Sequence, residues 1–370
     1  MRVLLACDKF KGSLGADEAC EAICTGLPDG WTTDICPIAD GGEGFVDAML
    51  AGSGGERVTA PATDALGRPV EASYGIYRSN DGEVVAVLEM SAASGIWRIS
   101  AEERQPRLSS TYGTGQLMRH AIEVSGASKL LIGIGGSATN DGGAGMAAAL
   151  GVRFLDEQGG GLEPIPADLA RLHAVDFSQR IALPEIIVAC DVDNPLTGPR
   201  GASAIFGPQK GATPEDVAFL DAVLSKLAAI SNGETEATTP GAGAAGGLGF
   251  GLLRFAGAKL VPGFDLVAEA LGMVHRLKSA DLVITGEGSL DAQTLGGKGP
   301  AGVAAMAKAA GIPVVAVAGR IEEAARPLFD ACLSLESFGL PVAESIARAP
   351  ELVTRLVAEH ADLLRGLAAR

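Results

Sequence analysis

Polar residues and glycines follow five apolar runs of this chain, each at the point where the run ends. The segments are "DKFKGS" (8–13), "ADGGEG" (39–44), "GGSATNDGG" (135–143), "DVDNP" (191–195) and "GEGSLDAQTLGGK" (286–298). Glycine lets a ligand approach the backbone, carboxylates can hold a hard cation, and lysines neutralise phosphate. Together they predict a site for a metal-bound polyphosphate and a small anionic substrate. Any one segment is equally compatible with a surface turn, because Asp after a strand often caps the next helix.

The glycine-rich segment lies within "LLIGIGGSATNDGGAGMAAALG" (130–151), where an apolar run opens into glycines and then an alanine-rich helix. A turn of this kind can cradle an anion with backbone N–H groups and the helix N-terminus. A tight strand-to-helix turn that binds nothing explains this stretch alone equally well.

The same segment also fits a loose dinucleotide fingerprint through Gly133, Gly135 and Ala138, with Asp156 as a ribose-binding acid. The fit is weak, since "TNDGGAG" is poor helix sequence, and the G-x-x-x-x-G-K-[ST] pattern of a P-loop is absent. A nicotinamide-dependent dehydrogenase therefore stays open as an alternative function.

Short apolar runs alternate with helical patterns, which predicts βαβ units and parallel sheets. Strands are predicted at 3–7, 34–38, 84–89, 129–134, 186–190, 282–285 and 314–318. Helices are predicted at 16–26, 44–51, 113–125, 144–150, 214–229, 264–277, 301–310 and 342–367. The segment 59–90 instead reads as antiparallel hairpins with a turn at "SNDG". We predict an α/β fold of two domains, one built from both chain ends (1–66 and 280–370) and a mixed α/β domain inserted at 67–279.

The composition is that of a globular protein with no predicted nucleic-acid partner. The 370 residues are 47% hydrophobic with a net charge of −16, and no Lys/Arg-rich run predicts a nucleic-acid partner. No apolar run reaches the roughly 18 residues of a membrane span. The six cysteines form no C-x-x-C pair and the four histidines are scattered, so we expect reduced thiols, a cytoplasmic protein and no zinc site.

Longer motifs follow one another along nearly the whole chain. They are "DKFKGS", "PIADGGEGFVDAM", "STYGTGQL", "IGIGGSATNDGGAGM", "VACDVDNPL", "GAS-IFGPQKGA", "GAGAAGGLG", "LVITGEGSLDAQT" and "GK-P-GVA-MAK", where a dash marks a position that is not part of the motif. In this order they resemble the bacterial glycerate kinase family, of the type that makes 2-phosphoglycerate. The chain departs from the family pattern at Cys7 and Lys9, where the family has Pro and Ser, and at Ser289, where it has Arg.

The resemblance implies a flavodoxin-like parallel α/β domain interrupted by a second α/β domain, with the reactants in the crevice between them. It implies transfer of the γ-phosphoryl group of ATP to a hydroxyl of D-glycerate with Mg²⁺. The expected product is 2-phosphoglycerate, with 3-phosphoglycerate as the alternative. A non-catalytic, two-lobed anion-binding protein is a further alternative. D-glycerate is the expected small-molecule partner, no nucleic acid or membrane is expected, and self-association into a homo-oligomer is left open.

Roles follow from the chemistry that such a transfer needs. Asp191 is expected to act as the base and Lys11 to neutralise charge during the transfer. The residues expected to bind the nucleotide are Gly135, Gly136, Ser137, Asn140, Asp141, Gly142 and Lys298. The residues expected to bind glycerate are Asp8, Lys9, Ser13, Asp40, Gly41, Gly42, Asn194 and Lys210. Glu287 and Asp291 are the expected Mg²⁺ ligands, directly or through water.

Overall fold

The computed structural model describes residues 1–39, 41–42, 44–79, 81–291 and 299–369. Its strands are β1 (Arg2–Cys7), β2 (Thr32–Ile35), β3 (Glu56–Thr63), β4 (Pro69–Arg78), β5 (Val84–Glu89), β6 (Lys129–Gly133), β7 (Arg153–Leu155), β8 (Ala174–Asp176), β9 (Glu185–Ala189), β10 (Lys259–Val261), β11 (Leu282–Leu290), β12 (Val314–Ile321) and β13 (Ala331–Ser334). Its α-helices are α1 (Ala16–Gly26), α2 (Phe45–Ser53), α3 (Ser91–Ser94), α4 (Tyr112–Glu123), α5 (Ala144–Ala149), α6 (Pro166–Leu169), α7 (Ala202–Phe206), α8 (Pro214–Ile230), α9 (Glu234–Thr238), α10 (Ala244–Ala256), α11 (Gly263–Ala270), α12 (Met273–Leu277), α13 (Pro300–Ala309), α14 (Val342–Ala347), α15 (Ala349–Glu359) and α16 (Ala361–Ala368).

The chain folds into two compact units. The first comprises Met1–Asp40, Asp47–Gly54 and Phe264–Arg370, and the second comprises Gly41–Val46 and Gly55–Gly263. These bounds differ from the predicted domain boundaries in three segments, 41–46, 55–66 and 264–279. Strand β3 pairs with β4 over its whole length, which places 56–63 in the second unit. Arg276 donates to the carbonyl oxygen of Gly52 at 3.1 Å, which ties 264–279 to the first unit.

The first unit contains a five-stranded parallel sheet in the order β13-β12-β11-β1-β2. Its central strands, such as "RVLLAC" in β1, are continuous apolar runs, as expected for strands covered on both faces. Helices α1 and α15 pack together on one face over a core that includes Leu5, Ile23 and Leu356. This strand order is the flavodoxin-like one, and its topological switch point lies between β1 and β11.

The second unit contains a six-stranded mixed sheet in the order β10-β9-β6-β5-β4-β3. Strands β5, β6, β9 and β10 run parallel, while β3, β4 and β5 form the antiparallel hairpins that the sequence predicted. At the β3–β4 turn, the Asp64 carboxylate accepts the backbone N–H groups of Leu66 and Arg68. The α/β class, with one parallel and one mixed sheet, is therefore confirmed.

Two long predicted helices are interrupted at three places, and two of these interruptions have a local cause in the sequence. The predicted helix at 264–277 is divided into α11 and α12 by Gly272, whose φ of +63° ends a helical run at little cost for glycine. The predicted helix at 342–367 is divided into α14, α15 and α16, and Pro350 at the start of α15 prevents continuation from the preceding turn.

The described residues bear on two expectations from the sequence, the absence of a membrane-spanning helix and the reduced state of the cysteines. No helix in these ranges is long and apolar enough to cross a membrane. All six cysteines are described and all are free thiols. Burial raises the pKa of Cys36 to about 12, so this thiol stays protonated at neutral pH.

Candidate functional sites in the two units

In the first unit, the loops that follow β1 and β11 meet at the switch point of the sheet. The backbone N–H of Asp8 donates to the carbonyl oxygen of Gly286 at 2.8 Å. A Cβ atom at Gly288 would lie 3.1 Å from the backbone nitrogen of Lys11, so glycine lets the two loops approach. Lys11 itself is exposed. Ligands of open α/β sheets bind at this edge, where the order of the strands reverses.

The Asp8 carboxylate lies beside the first turn of α13. A Cβ atom at Gly299, which precedes that helix, would be 3.3 Å from its Oδ2 atom. The other oxygen, Oδ1, accepts the backbone N–H of Lys9 at 2.7 Å. A negative charge is stabilised near a helix N-terminus, so this position suits a carboxylate. Ser13, further along the same loop, donates from Oγ to the carbonyl oxygen of Ile346 at 3.2 Å.

The two predicted metal ligands lie at the end of β11 and just after it. Glu287 is in the strand, Asp291 directly follows its last residue, and both are half-buried. No cluster of three or more His, Cys, Asp or Glu side chains suited to a metal occurs in the ranges that the structure covers. Mg²⁺ commonly uses one or two carboxylates with phosphate oxygens and water, and this donor set fits that chemistry.

In the second unit, glycines stack the backbone of 41–42 over the ends of β6 and β9. A Cβ atom at Gly41 would lie 2.4 Å from the Cβ atom of Ala189, and one at Gly133 would lie 2.4 Å from the carbonyl oxygen of Gly41. A Cβ atom at Gly135 would lie 2.8 Å from the Cα atom of Gly42. The expectation that "ADGGEG" belongs with the first domain is therefore wrong for Gly41 and Gly42. Asp40, predicted from the same segment, lies outside the described residues, as does Lys298.

The glycine-rich loop after β6 is held from inside by Asp141. This carboxylate is fully buried, and its Oδ2 atom accepts the N–H and the hydroxyl of Thr111 at 2.7 and 2.8 Å and the N–H of Gly145 at 3.0 Å. Its Oδ1 atom accepts the N–H of Gly143 at 3.2 Å. Burial raises the pKa of Asp141, and the hydrogen bonds oppose that shift. The expected contact of the Asp141 side chain with a nucleotide is corrected: the carboxylate fixes the loop.

Asn140 and Lys210 are also buried beneath this loop. Nδ2 of Asn140 donates to Oγ of Ser203 at 2.9 Å. Lys210 is 1% exposed, and its Nζ donates to the carbonyl oxygen of Thr139 at 2.7 Å. Burial lowers the pKa of Lys210 to about 7, and the neighbouring Asp141 charge opposes the shift. Lys210 was expected to bind glycerate, but a side chain enclosed by protein supports the loop instead.

Two glycines of the loop, Gly135 and Gly136, are at least partly exposed. Gly136 is exposed with a φ of +72°, and Gly135 is half-buried, whereas Ser137 is buried and Gly142 packs against Leu224 and Leu227. The backbone of Gly135 and Gly136 is therefore the part of the loop that a ligand can reach. Positive φ at Gly136 is a conformation that glycine adopts without strain.

The turn after β9 is held at two points. Asp191 is half-buried, and its Oδ1 atom accepts the N–H of Gly263 at 3.0 Å, which links the ends of β9 and β10. The side-chain amide of Asn194 donates to the backbone carbonyl oxygen of Arg200 at 2.8 Å. The backbone carbonyl oxygen of Asn194 accepts the N–H of Gly243 at 2.9 Å. Asp191 is thus a positioned carboxylate at the carboxyl edge of the parallel strands.

One residue at this edge was missed by the sequence reasoning. Glu89 is the last residue of β5, and its Oε1 atom accepts the N–H of Val46 at 2.9 Å. Its Oε2 atom accepts the hydroxyl of Ser91 at 3.5 Å. The signal was available, because an acidic residue ends an otherwise apolar predicted strand.

The dinucleotide-binding alternative lacks its structural context. Asp156 follows β7, which pairs antiparallel with β8 in a separate two-stranded sheet. Its Oδ1 atom accepts the N–H groups of Gln158 and Gly160 within its own turn. The fingerprint requires an acidic residue after the second parallel strand of a βαβ unit, so Asp156 does not occupy that position.

Comparisons with known proteins agree on one family. The model of the glycerate kinase family matches residues 3–365. A protein of Bacillus subtilis named glycerate kinase is 43% identical over 99% of this chain and 98% of its own length. A protein of Escherichia coli named glycerate 2-kinase is 44% identical over 87% of this chain and 86% of its own. A crystal structure from Salmonella typhimurium LT2, provisionally named glycerate kinase 2, superposes with a TM-score of 0.88 at 40% identity, covering 99% of this chain and 98% of the other.

Proposed function

Since the chain belongs to the glycerate kinase family and is therefore an enzyme that phosphorylates glycerate, we propose that ATP is its phosphoryl donor and 2-phosphoglycerate its product. The observation that carries the donor assignment is the glycine-rich loop after β6, with Gly135 and Gly136 at its surface. The product assignment rests on the Escherichia coli relative, whose name specifies a 2-kinase.

The glycine-rich loop is suited to phosphate because its shape is fixed before a ligand arrives. Asp141 and Lys210 hold it through Thr111, Gly145 and Thr139. Binding a ligand therefore costs little further conformational entropy in this loop. The backbone N–H group of Gly136 binds phosphate oxygens in this proposal, whereas that of Gly135 already donates to the carbonyl oxygen of Gly41 at 3.4 Å. Such groups bind anions without a net positive charge, which suits a protein whose overall charge is −16.

The loops at the β1–β11 switch point supply charge. Lys11, which is exposed, neutralises phosphate or the glycerate carboxylate, and Lys9 and Asp8 line the same loop. Glu287 and Asp291 hold Mg²⁺ in this proposal, and the bound ion would neutralise charge on the phosphate oxygens.

Asp191 is the residue that we assign to the acceptor hydroxyl of glycerate. Phosphoryl transfer requires a group that orients that hydroxyl and accepts its proton, and a carboxylate can do both. The hydrogen bond from Gly263 fixes Asp191 at one oxygen, and β9 provides a rigid base. Asn194 maintains the turn that follows through its bond to Arg200.

The proposal is tested by incubating the enzyme with ATP, MgCl₂ and D-glycerate and identifying the product by ³¹P NMR. We expect a single new phosphomonoester that carries the phosphoryl group on the 2-hydroxyl, and no product when excess EDTA removes the metal. A 3-phosphoglycerate signal would overturn the position of transfer. Turnover that is unchanged in EDTA would overturn the role of Mg²⁺, and no product from ATP would overturn the donor.

A further inference from the structure

Trp97 lies beside the glycine-rich loop, in the short 3₁₀ turn Ile96–Arg98 that follows α3. Two backbone contacts join that segment to the loop. The N–H of Ile96 donates to the carbonyl oxygen of Gly136 at 2.9 Å, and Gly95 forms an isolated antiparallel bridge with Ser137. These contacts place Trp97 one residue away from the backbone that we assign to phosphate.

The indole of Trp97 contacts neighbouring groups at one edge and on one face although it is 65% exposed. A Cβ atom at Gly95 would lie 2.8 Å from its Nε1 atom, so the edge of the ring is folded back over the glycine that pairs with the loop. The guanidinium carbon of Arg98 lies 4.5 Å from the ring centroid and covers one face. Arg98 is fixed in turn, because it donates to the carbonyl oxygens of Ala92 at 2.7 Å and Glu71 at 3.1 Å.

A single exposed apolar side chain is common on protein surfaces and needs no explanation. Trp97 differs because its ring is held on one face and at one edge while the remaining face is open to solvent. An ordered aromatic ring with one open face is the arrangement on which nucleobases stack, and every base has a π-face to offer. The loop next to it is the one that binds phosphates in the proposed function.

We propose that Trp97 is the platform on which the purine ring of ATP stacks, an inference that rests on nucleotide binding at the glycine-rich loop. The triphosphate lies on Gly135 and Gly136, and the base lies against the open face of the indole. Arg98 keeps the ring in place from the opposite side. Trp97 then contributes to the affinity for a nucleotide but not to the affinity for phosphate alone.

Fluorescence gives a direct test, since the chain has two tryptophans, Trp31 and Trp97. Trp31 belongs to the first unit, where it packs partly buried against the core, so a Trp31→Phe background leaves Trp97 as the sole emitter. We expect ATP with MgCl₂ to quench this emission and inorganic triphosphate to leave it unchanged while competing with ATP. Emission that is insensitive to saturating ATP, or that responds equally to triphosphate, would overturn the stacking assignment.

Kinetics give an independent test. We expect Trp97→Ala to raise the KM for ATP by about 5- to 150-fold, the range that loss of one base stack supplies, and Trp97→Phe to recover most of it. The inhibition constant of triphosphate, the glycerate KM and kcat should stay within about threefold. Val124→Ala is the matched control, because Val124 is 69% exposed at the end of α4 and has no assigned role.

The outcomes separate this inference from the proposed function. If the enzyme uses ATP but Trp97→Ala leaves its KM unchanged, Trp97 is not the platform and the ATP assignment stands. If ATP gives no product with the unmodified enzyme, the proposed function itself fails. An equal rise in the triphosphate inhibition constant would show that Trp97→Ala disturbs the loop, and the stacking assignment would be rejected.

Discussion

Replacing Lys210 by Met tests whether this lysine is neutral inside the protein. Its Nζ donates to the carbonyl oxygen of Thr139, and burial lowers its pKa to about 7 from the ordinary 10.5. Between these two values the unfolded chain binds a proton that the folded chain does not. The free energy of unfolding of the unmodified protein should therefore rise with pH across this interval, and Lys210→Met should lose that rise.

The expected magnitude follows from proton linkage. One proton of difference changes the free energy of unfolding by about 1.4 kcal/mol per pH unit. Between pH 7.5 and pH 9, the unmodified protein should gain about 2 kcal/mol relative to Lys210→Met. Urea unfolding of both proteins at each pH measures this quantity, and the difference between them cancels the titration of groups that they share. The absolute stability of the variant at one pH is not the test.

Lys226→Met is the matched control. Lys226 also donates to a backbone carbonyl, that of Ala170 at 2.8 Å, but it is only half-buried. We expect this substitution to change stability by less than about 1 kcal/mol. If the difference between the unmodified protein and Lys210→Met is flat from pH 7.5 to pH 9, Lys210 stays charged in the fold, and the opposing charge of Asp141 outweighs burial.

Two further predictions concern the loops at the carboxyl edge of the second sheet. Asp191→Asn should lower kcat at least about 100-fold with the glycerate KM within a few fold, as expected for loss of a general base. Asp193→Asn, on the exposed side of the same turn, is the control and should change neither kcat nor KM much. An unchanged kcat in Asp191→Asn would show that Asp191 only fixes the turn. Gly133→Ala should destabilise the protein by about 1–3 kcal/mol, because its Cβ atom would lie 2.4 Å from the carbonyl oxygen of Gly41. Gly161→Ala is the control, because its Cβ atom would meet nothing within 4 Å, and it should be nearly neutral in thermal unfolding. Equal unfolding midpoints for the two variants would contradict the close backbone packing at Gly133.

Sequence patterns were sufficient for the elements that carry long apolar runs. The central strands β1, β5, β6, β9 and β12 begin within a residue of their predicted starts, and α1 has its predicted bounds. Short strands were missed for a physical reason, since three or four residues such as β7 or β10 show no period that separates strand from loop. Their positions are set by the partner strands and not by their own side chains.

The site was predicted less evenly, because a sequence shows residue types but not which side chains are enclosed. Lys210 and Asp141 are residue types typical of a site for metal-bound phosphate, but both are buried. The segment 41–42 was expected in the first domain because it follows a strand of that domain. The position of this segment in the second unit depends on the close approach of Gly41 to Ala189 and Gly133, which a Cβ atom at Gly41 or Gly133 would prevent. This is a tertiary contact between residues far apart in the chain.

Hydrogen bonds to three of its carbonyl oxygens hold the glycine-rich loop in shape. A backbone segment that offers N–H groups to an anion must have its carbonyl oxygens satisfied elsewhere. In this chain the carbonyl oxygen of Gly133 accepts from Met90 at 2.9 Å, that of Gly136 from Ile96 at 2.9 Å, and that of Thr139 from Lys210 at 2.7 Å. Each of these hydrogen bonds therefore fixes the shape of the loop through one of its carbonyl oxygens. Of the three donors only Lys210 uses its side chain, so Lys210→Met should alter the geometry of the loop, and hence the KM for ATP, without removing any group that touches the nucleotide in the proposed function.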